Sequence, residues 1–414
     1  MKRPVVHVIG AGAGGLSAAR ALLDGGACDV VVHEAQSHPG GRRRTFSDAE
    51  LGRDFDTGAF AILSCWTATL AVIDAVGARA EWRADLRPGV AFADFATGAR
   101  WRVTPNAGRW PWWLLDPRRR GTNLRFADYW SGRRLLAAAP EATVASLAPG
   151  GPGMERLWRP LTLAALNCPP ETASAQLLGG VLRQIVAAGG AGLKVLAPAR
   201  GIGRALVEPL ARSLERDGAA LRFGRRLIGL GREGDRVASL DFEHDRLDLG
   251  PRDAAILATP WAATAALLGT PPPQAASAAL TIHFAAPPPP AAPPVVGALN
   301  GPFDWLFAHP GGMSVAVKDA GARLDTPRDE LAAACWRGVA ALTGLSDAPP
   351  AWRMAPSRRA AALATPAETA RRPLTGTEFG NLFLAGGHVG RDFPDGLENA
   401  VRSGAAAARA FHGF

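Results

Sequence analysis

Residues 4–34 decide the fold, because two short apolar runs there flank a glycine-rich turn. The first run and the turn read Pro4-Val-Val-His-Val-Ile-Gly-Ala-Gly-Ala-Gly-Gly15, and the second run reads Asp29-Val-Val-Val-His-Glu34. The runs predict buried strands, and residues 16–23, followed by two glycines, predict a helix between them. Such a unit implies parallel strands with a right-handed crossover, and therefore a Rossmann-like α/β fold.

The glycine spacing is that of a turn that binds a dinucleotide. Gly10 permits the tight turn, Gly12 lets the backbone approach a pyrophosphate, and Gly15 lets the helix pack closely on the strand. The N–H groups at the start of the helix favour an anion there, and Glu34 can accept hydrogen bonds from ribose hydroxyls. A glycine-rich turn without a ligand is the alternative. We predict cofactor contacts at Gly10, Gly12, Gly14, Gly15, Glu34 and Ala35.

Later segments favour FAD over NAD as the dinucleotide. Gly40-Gly-Arg-Arg-Arg44 can bring backbone N–H groups and a guanidinium to the other side of the pyrophosphate, although a solvated basic turn is the alternative. The strand predicted at 254–260 and the segment 382–387 supply further small residues. The final helix, beginning near Gly396, can direct its N–H groups at a flavin carbonyl. The remaining predicted cofactor contacts are Gly41, Arg42, Leu227, Gly386, Gly387 and Leu397.

These segments also carry a family resemblance. The glycine turn with Glu34 and Gly-Gly-Arg42, the strand Ile256-Leu-Ala-Thr-Pro260 and the end Glu398-Asn-Ala-Val-Arg-Ser-Gly404 are similar to the FAD-dependent amine oxidase and phytoene desaturase superfamily. The superfamily implies a discontinuous FAD-binding domain beside a substrate domain.

A narrower likeness lies in Trp158-Arg-Pro-Leu-Thr-Leu-Ala-Ala-Leu-Asn167 and continues to Gln176. It resembles the squalene-associated members, the hydroxysqualene dehydroxylases, whose pattern LAGDW…GLPATIEGAVRSG lies on residues 384–404 without a gap. The resemblance covers most of the chain. It implies reductive removal of the hydroxyl of hydroxysqualene, giving squalene and water, in hopanoid-type squalene biosynthesis. Reduced FAD would donate the hydride, and the electron donor to the flavin is unknown.

The chain departs from this family pattern at several positions. Gly387 stands where the family has the aspartate of LAGD, so a carboxylate expected near the ribityl or phosphate groups is lost, and His388 replaces a tryptophan. Near the N-terminus, the family's Asp-Asn-Gly-Gln-His reads Asp56-Thr-Gly-Ala59-Phe60. These departures bear on the substrate more than on the cofactor.

The implied reaction requires a proton for the departing hydroxyl, so an acidic side chain is expected near the flavin. The candidates are His388, Asp392, Asp395 and Asp56. Each has a structural alternative, either a polar loop residue or, for Asp395, a helix N-cap. Glu398 lies in the first turn of the last helix, where the helix dipole alone explains it.

Length and composition set the domain organisation. The 414 residues, 48% hydrophobic and 20% charged, are typical of a folded chain too long for one core. We assign 1–85, 195–262 and 365–414 to a discontinuous FAD-binding domain, and 86–194 and 263–364 to a mixed α+β substrate-binding domain. The four cysteines form no CxxC pair, so no metal site is predicted.

The net charge of +9, carried almost entirely by arginine, suits nucleic acid or an anionic membrane. Nucleic-acid motifs are absent, so we predict no nucleic-acid partner. Arg109-Trp-Pro-Trp-Trp-Leu-Leu115, followed by Arg118-Arg-Arg120, fits an anchor at the membrane surface; a substrate-pocket wall is the alternative. Moving a triterpene from a bilayer into water costs about 0.8 kcal/mol for each CH2 group. We therefore expect the enzyme to take its substrate directly from the bilayer. Without an apparent signal peptide or membrane-spanning run, we expect a cytoplasmic protein on the inner face of the membrane.

Two other functions are left open by the sequence. One is a different flavoenzyme on the same scaffold, such as a carotenoid or polyprenoid desaturase or an amine oxidase, although the single Tyr129 argues against the aromatic cage of amine oxidases. The other is a non-catalytic homologue that binds FAD or lipid.

Overall fold

The computed structural model describes residues 3–49, 52–58, 61–84, 89–148 and 150–413. The strands are β1 (Val5–Ile9), β2 (Asp29–His33), β3 (Thr45–Asp48), β4 (Arg53–Asp56), β5 (Ile62–Leu63), β6 (Trp82–Ala84), β7 (Val90–Asp94), β8 (Arg100–Val103), β9 (Val195–Pro198), β10 (Ala220–Arg222), β11 (Leu227–Glu233), β12 (Arg236–Phe242), β13 (Arg246–Asp248), β14 (Ala254–Leu257), β15 (Ala276–Phe284), β16 (Val295–Leu299), β17 (Trp305–His309), β18 (Gly312–Val317), β19 (Trp352–Ala362) and β20 (Leu382–Leu384). The α-helices are α1 (Ala13–Gly25), α2 (Thr67–Ala75), α3 (Pro117–Arg120), α4 (Phe126–Trp130), α5 (Gly132–Leu136), α6 (Val144–Leu147), α7 (Arg159–Leu166), α8 (Ala175–Ala188), α9 (Glu208–Arg216), α10 (Trp261–Leu268), α11 (Arg328–Thr343), α12 (Pro366–Ala370) and α13 (Leu397–His412).

A five-stranded parallel sheet, in the order β10-β2-β1-β14-β20, forms the cofactor end of the molecule. Its strands are almost continuously apolar, as expected where both faces are covered. Buried residues of α1, α9 and α13 pack in the same core as Val6, Val30 and Ile256. The α/β fold predicted from residues 4–34 is therefore confirmed, and both ends of the chain contribute to one sheet.

A seven-stranded sheet, in the order β19-β15-β18-β17-β16-β7-β8, forms a second layer. It is mostly antiparallel, and the parallel pair β7–β16 joins residues 90–94 to residues 295–299. Helix α11 covers it through Leu331, Cys335 and Trp336. Of these strands, the sequence predicted only β15, because the apolar run Ala279–Phe284 between two proline-rich stretches is typical of a strand.

A third group consists of the helices between residues 112 and 188. Leu135, Trp158 and Leu177 belong to its core, and a π-helical turn, Met154–Trp158, leads directly into α7. All seven strands of the second sheet come from residues 90–103 and 276–362, and these helices lie within 86–194. The division into an FAD-binding and a substrate-binding domain at the predicted boundaries stays a proposal.

All four cysteines are buried and free. In the described part of the chain, no cluster of His, Cys, Asp and Glu side chains is arranged to hold a metal ion. None of the helices in that part combines the length and the apolar character needed to cross a bilayer.

Candidate active site

In the glycine turn after β1, an added side chain would clash at Gly10 and Gly15 but would meet free space at Gly12. Gly10 has a φ of +109°, and a Cβ added there would lie 2.6 Å from the carbonyl oxygen of Ala258. A Cβ at Gly15 would lie 1.8 Å from the carbonyl oxygen of Gly10, so neither site accepts a side chain. A Cβ at Gly12 would have no atom within 4 Å. Gly12 is also the N-cap of α1, and no side chain of the described residues caps this helix end, so its N–H groups are available to an anion.

Glu34 and the second glycine segment close around this turn. The Glu34 carboxylate accepts hydrogen bonds from the N–H groups of Ala11 at 2.8 Å and Gln36 at 2.9 Å. A Cβ at Gly41 would lie 3.5 Å from the Cα of Gly12, so the two glycine segments face each other. Ala35 is half-buried beside Glu34, and half-buried Leu227 begins β11.

The C-terminal glycines meet the same turn. A Cβ at Gly14 would lie 3.1 Å from the backbone nitrogen of Gly386. The Ser403 hydroxyl, on α13, hydrogen-bonds both the N–H and the carbonyl oxygen of Gly386 at 2.9 Å. Leu397 is buried at the start of α13, and among the described residues no side chain caps that helix at Gly396. The arrangement fits FAD, because two free helix N-termini and three facing glycine segments converge without side chains between them.

Arg372 holds the loop that precedes α13. Its guanidinium donates hydrogen bonds to the carbonyl oxygens of His388 at 2.9 Å, Phe393 at 2.7 Å and Gly387 at 2.6 Å. It is 2% exposed, and burial lowers its pKa to about 10. Asn399 donates to Gly387 and Val389 from the other side. Arg372 was not predicted as a site residue, because an arginine outside any motif looks like a surface residue.

Asp395 replaces the carboxylate that position 387 lacks. A Cβ at Gly387 would lie 2.0 Å from Oδ1 of Asp395, so the Asp395 carboxylate occupies the space of the missing side chain. Arg42 pairs with this carboxylate at 2.7 Å, and the N–H of Ala362 donates to it at 2.8 Å. The site therefore contains a carboxylate, that of Asp395, although position 387 is a glycine. The Arg42 side chain is 42% exposed although it pairs with Asp395, so its contact with the pyrophosphate stays a prediction. The N-cap interpretation of Asp395 is wrong because Gly396 caps α13.

The structure gives the four predicted proton donors different environments. Asp392 is exposed. Burial opposes ionisation of Asp395, but the adjacent Arg42 keeps its pKa well below the usual range. His388 stacks on Trp261 with 6.0 Å between ring centroids, and burial lowers its pKa to about 4, so it is neutral at pH 7.

Asp56 accepts hydrogen bonds from the Thr45 hydroxyl and the Ile202 N–H. Burial raises its pKa to about 6. Its sequence neighbours Ala59 and Phe60, where the family's Gln-His pair is lost, lie outside the described residues. The acid role of all four candidates stays a prediction.

An apolar cavity of about 590 Å³ lies against residues 393–398. Its wall consists mostly of apolar side chains from α4, α5, α7 and α8 and from strands β7, β16 and β17. Among the described residues, none of the four predicted proton donors lines it. The cavity can therefore hold a long hydrocarbon next to the start of α13.

Glu398 lies on this cavity wall and does more than complement a helix dipole. Its carboxylate accepts hydrogen bonds from the N–H of Thr69 at 2.9 Å and the Thr69 hydroxyl at 2.7 Å, and from the Gln184 amide at 3.3 Å. It is 1% exposed. The prediction that the helix dipole alone explains Glu398 is wrong, because its carboxylate joins α2 and α8 to α13 at the edge of the cavity.

The tryptophan-rich stretch 109–115 lies partly against the cavity and partly at the surface. Trp113 is buried and lines the cavity with Leu114. Trp110, Trp112 and Leu115 are 78%, 45% and 70% exposed. One stretch thus supplies both the wall of the cavity and an apolar surface beside it.

Comparisons with known proteins agree with this geometry. The family model for flavin containing amine oxidoreductase matches residues 13–411. A putrescine oxidase triple mutant has a similar structure, with a TM-score of 0.72 at 16% identity, covering 100% of this chain and 99% of its own. Cyclohexylamine oxidase from Brevibacterium oxydans has a TM-score of 0.70 at 18% identity, covering 99% of each chain. The fold and the site define an FAD-dependent oxidoreductase, and the chain belongs to the flavin-containing amine oxidoreductase family.

Sequence relatives point to a particular branch of this family. Proteins named hydroxysqualene dehydroxylase from Sinorhizobium fredii and Rhodopseudomonas palustris are each 38% identical to this chain over 97% of both sequences. One of the same name from Zymomonas mobilis is 30% identical over 98% of both. The resemblance seen in the sequence is therefore confirmed over nearly the whole chain.

Proposed function

We propose that this enzyme removes the hydroxyl group of hydroxysqualene reductively and releases squalene and water. The names of its sequence relatives support the substrate. The observation that carries the proposal is the apolar cavity against residues 393–398, because a triterpene needs such a wall and a polar or amine substrate does not. Bound FAD, in its reduced form, supplies the hydride that replaces the hydroxyl.

The chain's own residues bind the cofactor and exclude water. We assign the pyrophosphate to the open side of Gly12, next to Gly41, and the ribose hydroxyls to Glu34. Gly12 has free space beside it, and the Glu34 carboxylate is a hydrogen-bond acceptor. The N-terminus of α13 at Leu397 borders the cavity and offers N–H groups to the flavin ring. Apolar side chains at the same place keep water from the reacting carbon.

Substrate-dependent reoxidation of the flavin tests the proposed reaction. The holoenzyme is reduced without oxygen and mixed in turn with hydroxysqualene, phytoene and putrescine, while flavin absorbance and lipid products are followed. We expect reoxidation with hydroxysqualene alone, with squalene formed in equal amount. Reduction of the oxidised enzyme by phytoene or putrescine would instead indicate a desaturase or an amine oxidase. A protein that binds FAD but reacts with none of the three would contradict an enzymatic role on these substrates.

We also propose that the enzyme takes its substrate directly from an anionic membrane surface. Exposed Trp110, Trp112 and Leu115 lie in the same stretch as the cavity-lining Trp113. Trp130 and Val186, 51% and 57% exposed, belong to the cavity wall itself. The cavity thus reaches the surface at an apolar patch suited to the acyl boundary of a bilayer.

Arginines surround this patch and complement anionic headgroups. The Arg119 guanidinium lies 4.5 Å from the Trp112 ring centroid, and that of Arg133 lies 5.1 Å from the Trp130 ring centroid. Arg118 and Arg120 flank Arg119 in α3. Basic side chains near an anionic bilayer each contribute about 1 kcal/mol to binding.

Flotation with vesicles tests this surface. We expect binding to phosphatidylcholine–phosphatidylglycerol vesicles and little binding to phosphatidylcholine alone. The triple variant Trp110→Ser, Trp112→Ser, Leu115→Ser should bind at least about tenfold more weakly. The matched control replaces exposed apolar residues elsewhere, Ile228→Ser and Leu374→Ser, and should float like the wild type. Equal flotation of both variants would contradict the proposed surface.

A further inference from the structure

One lysine reaches the apolar cavity. Lys318 directly follows β18, and its side chain lines the cavity together with Trp305 and Phe307 of β17. Trp305 pairs with Ala316 across the two strands. Because side chains two residues apart share a face of a sheet, Lys318 lies on the same face as Trp305. The N–H of Lys318 donates to the Asp304 carboxylate at 2.7 Å, which fixes the backbone at this point.

The Lys318 ammonium group is unpaired among the residues that the structure describes. Within the described part of the chain, its Nζ atom makes no hydrogen bond and no ion pair. Arg109, Arg133 and Arg156 also line the cavity, and Arg156 is paired with Asp94 at 3.0 Å. An arginine releases its proton far less readily than a lysine, so Lys318 is the cation of this wall suited to donate one. Lys318 is half-buried, and an ammonium group beside an apolar wall finds few hydrogen-bond acceptors there. An oxygen atom of the ligand would satisfy it.

We propose that the Lys318 ammonium group binds the hydroxyl oxygen of the substrate and donates the proton with which this oxygen leaves as water. The inference rests on the proposed function and assigns the proton donor for that reaction. The C–O bond breaks, its electron pair stays with the oxygen, and the lysine proton completes the water molecule. Reduced FAD, when bound, would supply the hydride that the allylic carbon takes up and the proton that restores the lysine. The overall change converts hydroxysqualene and reduced flavin to squalene, water and oxidised flavin.

A cationic acid suits an apolar cavity better than a carboxylic acid. When an ammonium group protonates the hydroxyl, one positive charge moves from nitrogen to the allylic system, and no charge pair has to be created in a low dielectric. The rings of Trp305 and Phe92, whose centroids lie 5.9 Å apart, offer π faces to the resulting cation.

The surroundings also favour proton release by this lysine. Burial lowers the pKa of Lys318, and the nearby Asp304 carboxylate opposes the shift. Asp319, next in the chain, and Arg323 act on the same Asp304 carboxylate. An amine whose pKa is lowered donates a proton more readily near neutral pH.

Three variants test the assignment. Lys318→Met should keep its FAD but lose about 100-fold or more in the rate of flavin reoxidation by hydroxysqualene. Lys318→Ala should regain activity when ethylamine is added. Lys318→Arg should move the basic limb of the pH–rate profile to higher pH, because arginine loses its proton far less readily. The control Lys194→Met changes an exposed lysine beside the cavity-lining Leu193 and should behave like the wild type.

A binding measurement gives a readout that does not depend on turnover. The oxidised wild-type holoenzyme should bind hydroxysqualene about tenfold more tightly than squalene, and Lys318→Met should lose this preference. An active wild type with a fully active Lys318→Met variant would overturn the assignment and leave the proposed function standing. A less stable Lys318 variant without ethylamine rescue and with its substrate preference intact would show a structural role and overturn it as well. A wild type inactive on hydroxysqualene would overturn the proposed function itself.

Discussion

The cofactor end and the substrate end of the proposed active site have different kinds of wall. At the cofactor end, much of the wall is backbone: Gly41 faces Gly12, and Gly14 faces Gly386. At the substrate end, side chains form the walls, and the backbone of α7, α8 and β17 only positions them.

This difference predicts different tolerance to mutation. Where backbone packs directly on backbone, as at Gly10 and Gly15, an added Cβ clashes because the opposing backbone cannot move aside. A wall of apolar side chains can be repacked at a cost usually below about 1.5 kcal/mol. The cofactor can thus stay the same while the substrate varies on one fold.

The glycine turn should show the largest effect. Gly15→Ala places a Cβ 1.8 Å from the carbonyl oxygen of Gly10, so we expect a loss of folded protein, measured by soluble yield and thermal unfolding. Gly12→Val meets open space and should fold, yet lose FAD, measured by the bound flavin per chain. If Gly12→Val binds FAD normally, the pyrophosphate does not lie at this turn.

At the cofactor end, the Arg372 side chain holds the backbone of the loop that precedes α13. Arg372→Met removes the donors to three carbonyl oxygens, and we expect a loss of about 3–5 kcal/mol in the free energy of unfolding. Chemical denaturation measures this loss. The exposed neighbour Arg391→Met should cost within about 0.5 kcal/mol. Equal costs for both variants would show that the loop does not depend on Arg372.

Acid should weaken both ends together, because each contains buried neutral histidines. Burial lowers the pKa of His33 to about 3 and that of His283 to about 4. Since these values lie below the unfolded value, the stability contributed by neutral imidazole is complete above pH 6.5 and is lost as the pH falls towards 4.

Denaturation at pH 7 and pH 5 measures the effect. The wild type should lose about 1–2 kcal/mol per buried histidine. His283→Gln should lose less over this interval, whereas exposed His244→Gln should match the wild type. A pH-independent free energy of unfolding would contradict the buried neutral state.

The substrate end should show the smallest effect on stability and a clear effect on turnover. Ala164→Phe adds a ring from α7 to the cavity wall. We expect stability to change by less than about 1.5 kcal/mol and bound FAD to stay the same. The ratio kcat/KM for hydroxysqualene should fall about tenfold or more. Unchanged kcat/KM would place the substrate outside this cavity.

The sequence predicted the cofactor end well, because its signals are local. The strand, turn and helix around Gly10 and the acidic residue Glu34 lie within one short segment, and α8 and α13 carry a regular apolar pattern. The second sheet was mostly missed because β7 pairs with β16 about 200 residues away. Arg372 and the exchange of Gly387 for Asp395 depend on spatial neighbours that no spacing along the chain reveals.

A crystal structure of the holoenzyme with squalene tests the central claim most directly. We expect the FAD pyrophosphate against the open side of Gly12, the flavin ring at the start of α13, and the hydrocarbon chain in the cavity lined by Trp113 and Lys318. A hydrocarbon bound elsewhere, or a cofactor away from the glycine turn, would contradict the account that the two ends form one active site.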